Sequence, residues 1–301
     1  MRATAPRPTI GFVGLGHMGG AMASHLLSAG HPVVGTRRSR RQADDLVAQG
    51  LGWRESPRGV AEAADVVVTS VPDDDALHSA ASGPEGVLTG LRAGTTWLEM
   101  STVSPAASRE LAARVRKSGA FLLDAPVSGS VPQVRAGSLT IMVGGDANAY
   151  GRVEPVLREL GTPTHVGQNG QGLVLKLAIN ISLAVQMLAF AEGLLLAARS
   201  GIAPELALEV MADSSIGSPM LKARAPLVFD LPEDAWFTLA LVQKDVELAR
   251  DVARVLGVPL PTADRVDEVL RLARVLGYEG RDLAALFQLL QEMTGTRRTA
   301  A

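Results

Sequence analysis

The stretch 9–30, TIGFVGLGHMGGAMASHLLSAG, sets an apolar run, a glycine turn and a helical pattern in that order. Gly14, Gly16 and Gly19 stand at G-x-G-x-x-G spacing, with Leu15, His17 and Met18 among them. Each glycine answers a separate need: Gly14 the tight turn, Gly16 the close approach of backbone to a pyrophosphate, and Gly19 the close packing of helix on strand. The helix that opens there points its unpaired N–H groups and the positive end of its dipole at the same anion. A glycine-rich βα turn without a ligand is the competing reading, but strand, motif and helix in sequence favour a dinucleotide-binding turn.

Beyond this stretch, short β-branched runs alternate with helical patterns: HPVVGT, DVVVTSV, TWLEMS, FLLDAPV and LTIMVGG are separated by segments such as AASRELAARVRKSG. This alternation predicts right-handed βαβ units around a doubly wound parallel sheet of Rossmann type. From about residue 168 the strand signal vanishes. The run 172–199 reads as one helix of roughly 28 residues, ~42 Å long at 1.5 Å per residue, closed by Gly201. Helical patterns follow at 204–212, 238–256, 261–276 and 282–293. The expected architecture is therefore a Rossmann-type α/β domain over 1–166, joined by a long interdomain helix to an all-helical domain over 167–301. Only the two ends read as disordered.

Composition narrows the function classes. With 301 residues, 47% apolar content and a net charge of −2, the chain can bury a large core as a soluble globular protein. The near-neutral balance and 4% aromatic content offer neither a basic footprint nor a stacking platform for nucleic acid, so the expected partners are small molecules. Cysteine is absent, which removes disulfides, thiolate metal sites and thiol nucleophiles. MRATAPRP lacks the apolar segment of a signal peptide, so the cytoplasm is the default compartment. The charge-free run Leu177 to Ala191 contains Asn180, Ser182 and Gln186, too short and too polar to span a bilayer, and reads as a buried helix. The five histidines show no ligand spacing, so no metal site is expected. Apolar helix faces along 172–199 and 282–293 suggest a homodimer or homotetramer.

Two further features carry chemistry. The second strand ends in RRSRR at 37–41, where an NAD site would place an acidic residue for the ribose hydroxyl. Arg37, Arg38 and Ser39 can instead grip a 2′-phosphate, which favours NADP(H); a solvated charge run is the alternative and accounts for Arg40 and Arg41. Lysine is scarce, with Lys117, Lys176, Lys222 and Lys244 the four among 29 basic residues. A lysine set in the apolar GQGLVLKLAIN at 170–180 suggests a cation that must be able to lose its proton when desolvated. The alternative is a stem that snorkels to solvent. Asn180 lies four residues on, on the same helix face. Short-chain dehydrogenase chemistry, which needs Tyr-x-x-x-Lys, is excluded because Glu154 and Asp282 follow Tyr150 and Tyr278 at the fourth position.

The glycine turn, STVSP (101–105), DAPVSGS (124–130), GQGLVLKLAIN (170–180) and QKDVELA (243–249), in this order, resemble the β-hydroxyacid dehydrogenase family over nearly the whole length. Ser130 departs from the Ser-Gly-Gly of 3-hydroxyisobutyrate dehydrogenases, and Ile179 stands where many members carry the first of two asparagines. These departures, with SPMLKARAP at 218–226, look more like the glyoxylate and succinic semialdehyde reductase branch, which favours NADPH. The resemblance implies that Lys176 is the general acid/base, supported by Asn180. Ser128, Gly129 and Ser130 would bind the substrate carboxylate through a hydroxyl and backbone N–H groups. Thr102 would lie near the nicotinamide, Val71 and Pro72 near the adenosine half, and Lys244 near cofactor and substrate at the domain cleft. Phe237 and Asp245 match substrate-lining positions. The implied reaction is NADPH-dependent reduction of a small semialdehyde or 2-oxo acid. Alternatives are 3-hydroxyisobutyrate or other 3-hydroxyacid oxidation, imine reduction, and a non-catalytic NADP-binding protein.

Overall fold

The computed structural model describes residues 7–294. The expectations made for Met1 to Pro6 and for the residues after Thr294 lie outside the described residues. The chain forms two compact units, the first ending at Lys176 and the second beginning at Leu177. The division expected at 166/167 falls instead inside the long helix, because the first turn of that helix is bound to the sheet of the first unit.

In the first unit, β1 (Ile10–Val13) leads to α1 (His17–Ser28), β2 (Val33–Thr36), α2 (Asp44–Ala48) and β3 (Gly52–Trp53). Next come α3 (Pro57–Ala63), β4 (Val66–Thr69), α4 (Asp74–Ala81), α5 (Val87–Gly90) and β5 (Thr96–Glu99). Then follow α6 (Pro105–Arg116), β6 (Phe121–Asp124), β7 (Val127–Ser128), α7 (Val131–Arg135), β8 (Leu139–Gly144), α8 (Ala147–Leu160) and β9 (Gly161–Gly167). The strand order is β3-β2-β1-β4-β5-β6-β8-β7, with β9 paired to β8.

From β3 to β6 the sheet is parallel, as the alternation predicts, and β1, β2, β4 and β5 are buried on both sides while the edge strand β3 is half-buried. Ile10, Phe12, Val66, Val68, Leu98 and Leu123 enter one core. Val13, Val67, Trp97 and Leu122, one residue out of phase, enter the core on the opposite face. Period-2 alternation explains how one run of β-branched residues feeds two cores. Beyond β6 the sheet is mixed: β8 runs antiparallel to β6 and β7, and β9 parallel to β8. This part was not legible in the sequence. β7 has only two residues, and β9, GTPTHVG, lacks the apolar run that marks a strand.

The register carries the functional consequence. Val13 pairs with Thr36 and Thr69, Thr69 with Glu99, and Glu99 with Asp124, so five strands end along one line. The chain order reverses between β1 and β4, and in open α/β sheets ligands bind outside the carboxyl ends of strands at such a switch point.

The remaining elements among the described residues are helical. They include α9 (Gln171–Arg199), which crosses the division, then α10 (Pro204–Asp213), α11 (Pro219–Arg224), α12 (Leu239–Leu256), α13 (Pro261–Val275) and α14 (Leu286–Met293). Ala184, Met187, Ala191 and Leu194 form one stripe of α9 and share a core with Val242 and Val246 of α12, Val266 and Leu270 of α13, and Leu286 and Phe287 of α14. α12 turns into α13 through Gly257, whose φ of 68° is a left-handed cap that a side chain would disfavour.

The long helix is less buried than its sequence suggests. Leu175 and Leu196 are 41% and 74% exposed. By length and composition α9 is apolar enough to cross a membrane, a test that the core helix of a soluble protein also passes; 39% of its 18-residue apolar window is buried.

Candidate active site

In the turn after β1 the three glycines differ in geometry. Gly14 has φ 97°, and a Cβ there would fall 2.3 Å from the Ser70 carbonyl oxygen. At Gly19 a Cβ would meet the Gly14 carbonyl oxygen at 2.1 Å, so this residue lets α1 sit on the turn. A Cβ at Gly16 would meet no atom within 4 Å, which leaves room where a pyrophosphate would approach. Gly16 is also the N-cap of α1, with no side-chain cap and no acidic residue in the first turn. The cradle therefore fits a dianion, since the amide donors and dipole have no competing negative group. Leu15 is only 2% exposed, so its side chain belongs to the core and its backbone alone faces the turn. His17 is exposed and Met18 packs partly on the core.

Arg37 and Arg38 follow β2 but differ in placement. The Arg37 guanidinium donates to the carbonyl oxygens of Leu15 and Gln42, each at 2.9 Å, and to the Gln42 side chain. It braces the glycine turn. Arg38 is exposed and Ser39 half-buried, immediately beyond the strand end.

After β4 and β5 two loops are tied together. The Val71 N–H donates to Ser101 Oγ at 2.8 Å, and the Ser101 N–H donates to Glu99 Oε1 at 2.7 Å. Thr69 Oγ1 donates to the other Glu99 oxygen and itself accepts from Trp97 Nε1 at 3.0 Å. Val71 and Thr102 are half-buried and Pro72 exposed, so the segments expected to meet the cofactor share one hydrogen-bonded frame. Glu99 is fully buried, which pushes its carboxyl up to about 7, against the hydrogen bonds from Ser101 and Thr69. Asp124, next in the line, is also raised by burial, while the Gly170 and Leu173 amides that donate to it pull the other way.

The SGS segment lies between β7 and α7. Ser128 is half-buried and pairs with Thr140, and Gly129 has φ 127°. A Cβ at Gly129 would fall 2.8 Å from Leu139 and 3.0 Å from Gln133, so glycine is required twice over. The Ser130 N–H and hydroxyl both lie 2.9 Å from Gln133 Oε1 in a capping contact. The backbone donor expected from Ser130 is therefore already engaged.

Lys176 is half-buried, between exposed Leu175 and buried Leu177, where full burial was expected. The cause is the partial cover of α9 at this point. In the second unit Asn180 and Asp245, each 2% exposed, meet through a short Nδ2–H···Oδ2 hydrogen bond, and Lys244 Nζ lies 2.9 Å from Asp245 Oδ1. The Asn180 carbonyl oxygen is buried without a hydrogen bond, an acceptor held open. Phe237 packs partly against the core, and its N–H donates to Asp282 Oδ2 at 3.0 Å. Asp282 in turn accepts from Arg224 of the SPMLKARAP segment at 2.5 Å, both side chains being buried.

Sequence reasoning missed Glu99, Asp124, Asp282 and Arg224 as buried residues that hold distant segments together. For Glu99 and Asp124 a signal existed: each is a lone carboxylate closing an otherwise apolar strand, and a charge there needs partners once buried. Among the described residues no group of His, Asp and Glu is placed to hold a metal ion.

Comparison with known proteins identifies the family. Residues 9–170 match the family description "NAD binding domain of 6-phosphogluconate dehydrogenase", and residues 170–290 match "NAD-binding of NADP-dependent 3-hydroxyisobutyrate dehydrogenase". The 2-(hydroxymethyl)glutarate dehydrogenase of Eubacterium barkeri is 34% identical over 95% of this chain and 96% of its own length. The chloroplastic glyoxylate/succinic semialdehyde reductase 2 of Arabidopsis thaliana is 31% identical over 94% and 79%. A crystal structure of a 3-hydroxyisobutyrate dehydrogenase from Salmonella typhimurium superposes with a TM-score of 0.86 at 29% identity, covering 93% of this chain and 99% of that one. Matched over nearly its whole length by such enzymes, the chain belongs to the β-hydroxyacid dehydrogenase family of nicotinamide-dependent oxidoreductases.

Proposed function

We propose that the protein is an NADPH-dependent reductase of small acids bearing an aldehyde or ketone, with Lys176 as the proton donor. The observation that carries this reading is the placement of Lys176 one turn before Asn180 on α9, with the Asn180 amide fixed by Asp245 so that its oxygen is left as an acceptor. A reduced nicotinamide, when bound, would supply the hydride. Protonated Lys176 gives its proton to the oxygen of the forming alkoxide, and in the oxidative direction the neutral amine takes it back. Asn180 Oδ1, being an acceptor, suits the lysine N–H rather than a substrate carbonyl. Ser128 and the Gly129 backbone are the donors offered to the substrate carboxylate, with Ser130 contributing shape through its contact with Gln133. Thr102, Val71 and Pro72 serve the cofactor, Lys244 both cofactor and substrate, and Phe237 and Asp245 the substrate. Arg38 and Ser39 receive the 2′-phosphate while Arg37 holds the turn beneath it.

A second reading, oxidation of 3-hydroxyisobutyrate or a related 3-hydroxyacid, is favoured by the match of the helical part to an NADP-dependent 3-hydroxyisobutyrate dehydrogenase description. Initial rates with glyoxylate, succinic semialdehyde, 3-hydroxyisobutyrate and L-serine, each with NADP(H) and NAD(H), separate the two. The proposal expects the highest kcat/KM for an aldehyde acid with NADPH. A preference for a 3-hydroxyacid with NAD would overturn it. Exposed Leu196, Ile202, Leu206 and Val210 support a homo-oligomer as the working state.

A further inference from the structure

We propose that Asp124 is a positioning residue for Lys176: a buried carboxylate at the end of β6 that fixes the start of the helix on which the lysine is carried. The inference rests on the reading of Lys176 as proton donor. Asp124 is fully buried, and its Oδ1 accepts the Gly170 N–H at 2.7 Å while its Oδ2 accepts the Leu173 N–H at 3.2 Å, across sequence separations of 46 and 49 residues. The first N–H groups of a helix have no partner within it and are ordinarily met by a preceding side chain. That is the arrangement at α3, α4, α6 and α8, capped by Ser56, Asp73, Ser104 and Asp146. At α9 the carboxylate arrives instead from a central strand of the sheet, so the helix start is fixed to the sheet as well as closed.

The surroundings are shaped for this contact. A Cβ at Gly172 would fall 2.4 Å from the Met142 carbonyl oxygen and 2.9 Å from Asp124 Oδ2. A Cβ at Gly144 would fall 2.6 Å from the Gln168 carbonyl oxygen and 2.7 Å from Asp124 Oδ2. Glycines on both sides thus admit the backbone to the carboxylate. Asn169 adds a second tie, its Nδ2 donating to the Leu122 carbonyl oxygen at 2.8 Å. Lys176 follows Leu173 by three residues, about 4.5 Å along the axis, so movement of the bound turn carries the lysine with it. A misplacement of about 1 Å at a reacting group can cost on the order of 10²-fold in rate.

Asp124→Asn keeps the shape but presents an N–H to one of the two amides, leaving a donor facing a donor. The expected result is a kcat lowered by about tenfold or more with the NADPH dissociation constant unchanged. The discriminating test is a double-mutant cycle with Lys176→Met. If Asp124 acts through the lysine, its substitution costs little further kcat once the lysine is gone. Asn169→Ala, which removes the bond to Leu122 and the longer 3.4 Å bond from Asn169 Nδ2 to Asp124 Oδ1 but leaves both amide bonds of Asp124, is run in the same cycle and is expected to show a smaller loss of the same kind. It decides the matter if Asp124→Asn does not fold. Losses that multiply in the double variants, or unchanged kcat in the foldable single variant, overturn the proposal. An unchanged kcat in Lys176→Met alone removes the lysine reading, a separate failure that takes this proposal with it.

Discussion

Glu99 offers a prediction whose size follows from its surroundings. The side chain lies wholly inside the sheet, and burial is the main reason its carboxyl is pushed from 4.5 to about 7, with Asp124 on the next strand adding repulsion. Between those two pH values the native protein holds a proton that the unfolded chain has released. Stability contributed by this group therefore falls as pH rises through that window and levels off above about 7. At about 1.36 kcal/mol for each tenfold change in proton affinity, the loss is about 3 kcal/mol. Glu99→Gln mimics the protonated form: its oxygen accepts from the Ser101 N–H, and its amide donates to Thr69 Oγ1. Relative to the parent, the variant should gain on the order of 5 to 10 °C in Tm between pH 5 and pH 8.5. The direct assay is an infrared titration of the protonated carboxyl C=O band, read as the difference between parent and variant. The reasoning predicts a band absent from the variant that fades in the parent with a midpoint near 7. A difference band already lost by pH 5, together with Tm curves that stay parallel, would refute it.

Other consequences are equally specific. Gly16→Ala places its Cβ in open space, so Tm should stay unchanged while NADPH affinity falls, measurable by fluorescence titration; unaltered affinity would put the pyrophosphate elsewhere. Arg38→Gln should weaken NADPH far more than NADH. Arg37→Gln, which removes the brace on Leu15 and Gln42, should weaken both cofactors alike, and equal losses in both variants would deny Arg38 the phosphate.

Much of the cofactor half was readable in advance because backbone constraints speak through residue type. The three glycines announce a turn, an open approach and a tight packing contact, and each of these is found. The β-branched strands β1, β2, β4, β5 and β6 were legible because burial on both faces demands unbroken apolar runs. The antiparallel turn of the sheet at β8 was hidden, since an apolar strand of six residues carries no mark of its direction. The site was legible by residue type more than by arrangement. Arg37 and Arg38 look alike in the sequence, and only the fold turns one back onto Leu15. Lys176 sits in an apolar string, but exposure depends on what covers α9, which periodicity does not report. Asp124 and Asp282 accept from amides more than forty residues away, and Glu99 from the Thr69 hydroxyl on another strand, so local pattern could not pair them.

The central claim is that Lys176 moves the proton. Lys176→Met should lower kcat by about 10² to 10⁴, the usual share of general acid/base help, while NADPH still binds with its parent dissociation constant. A variant that binds NADPH normally and turns over at close to the parent rate would contradict the account.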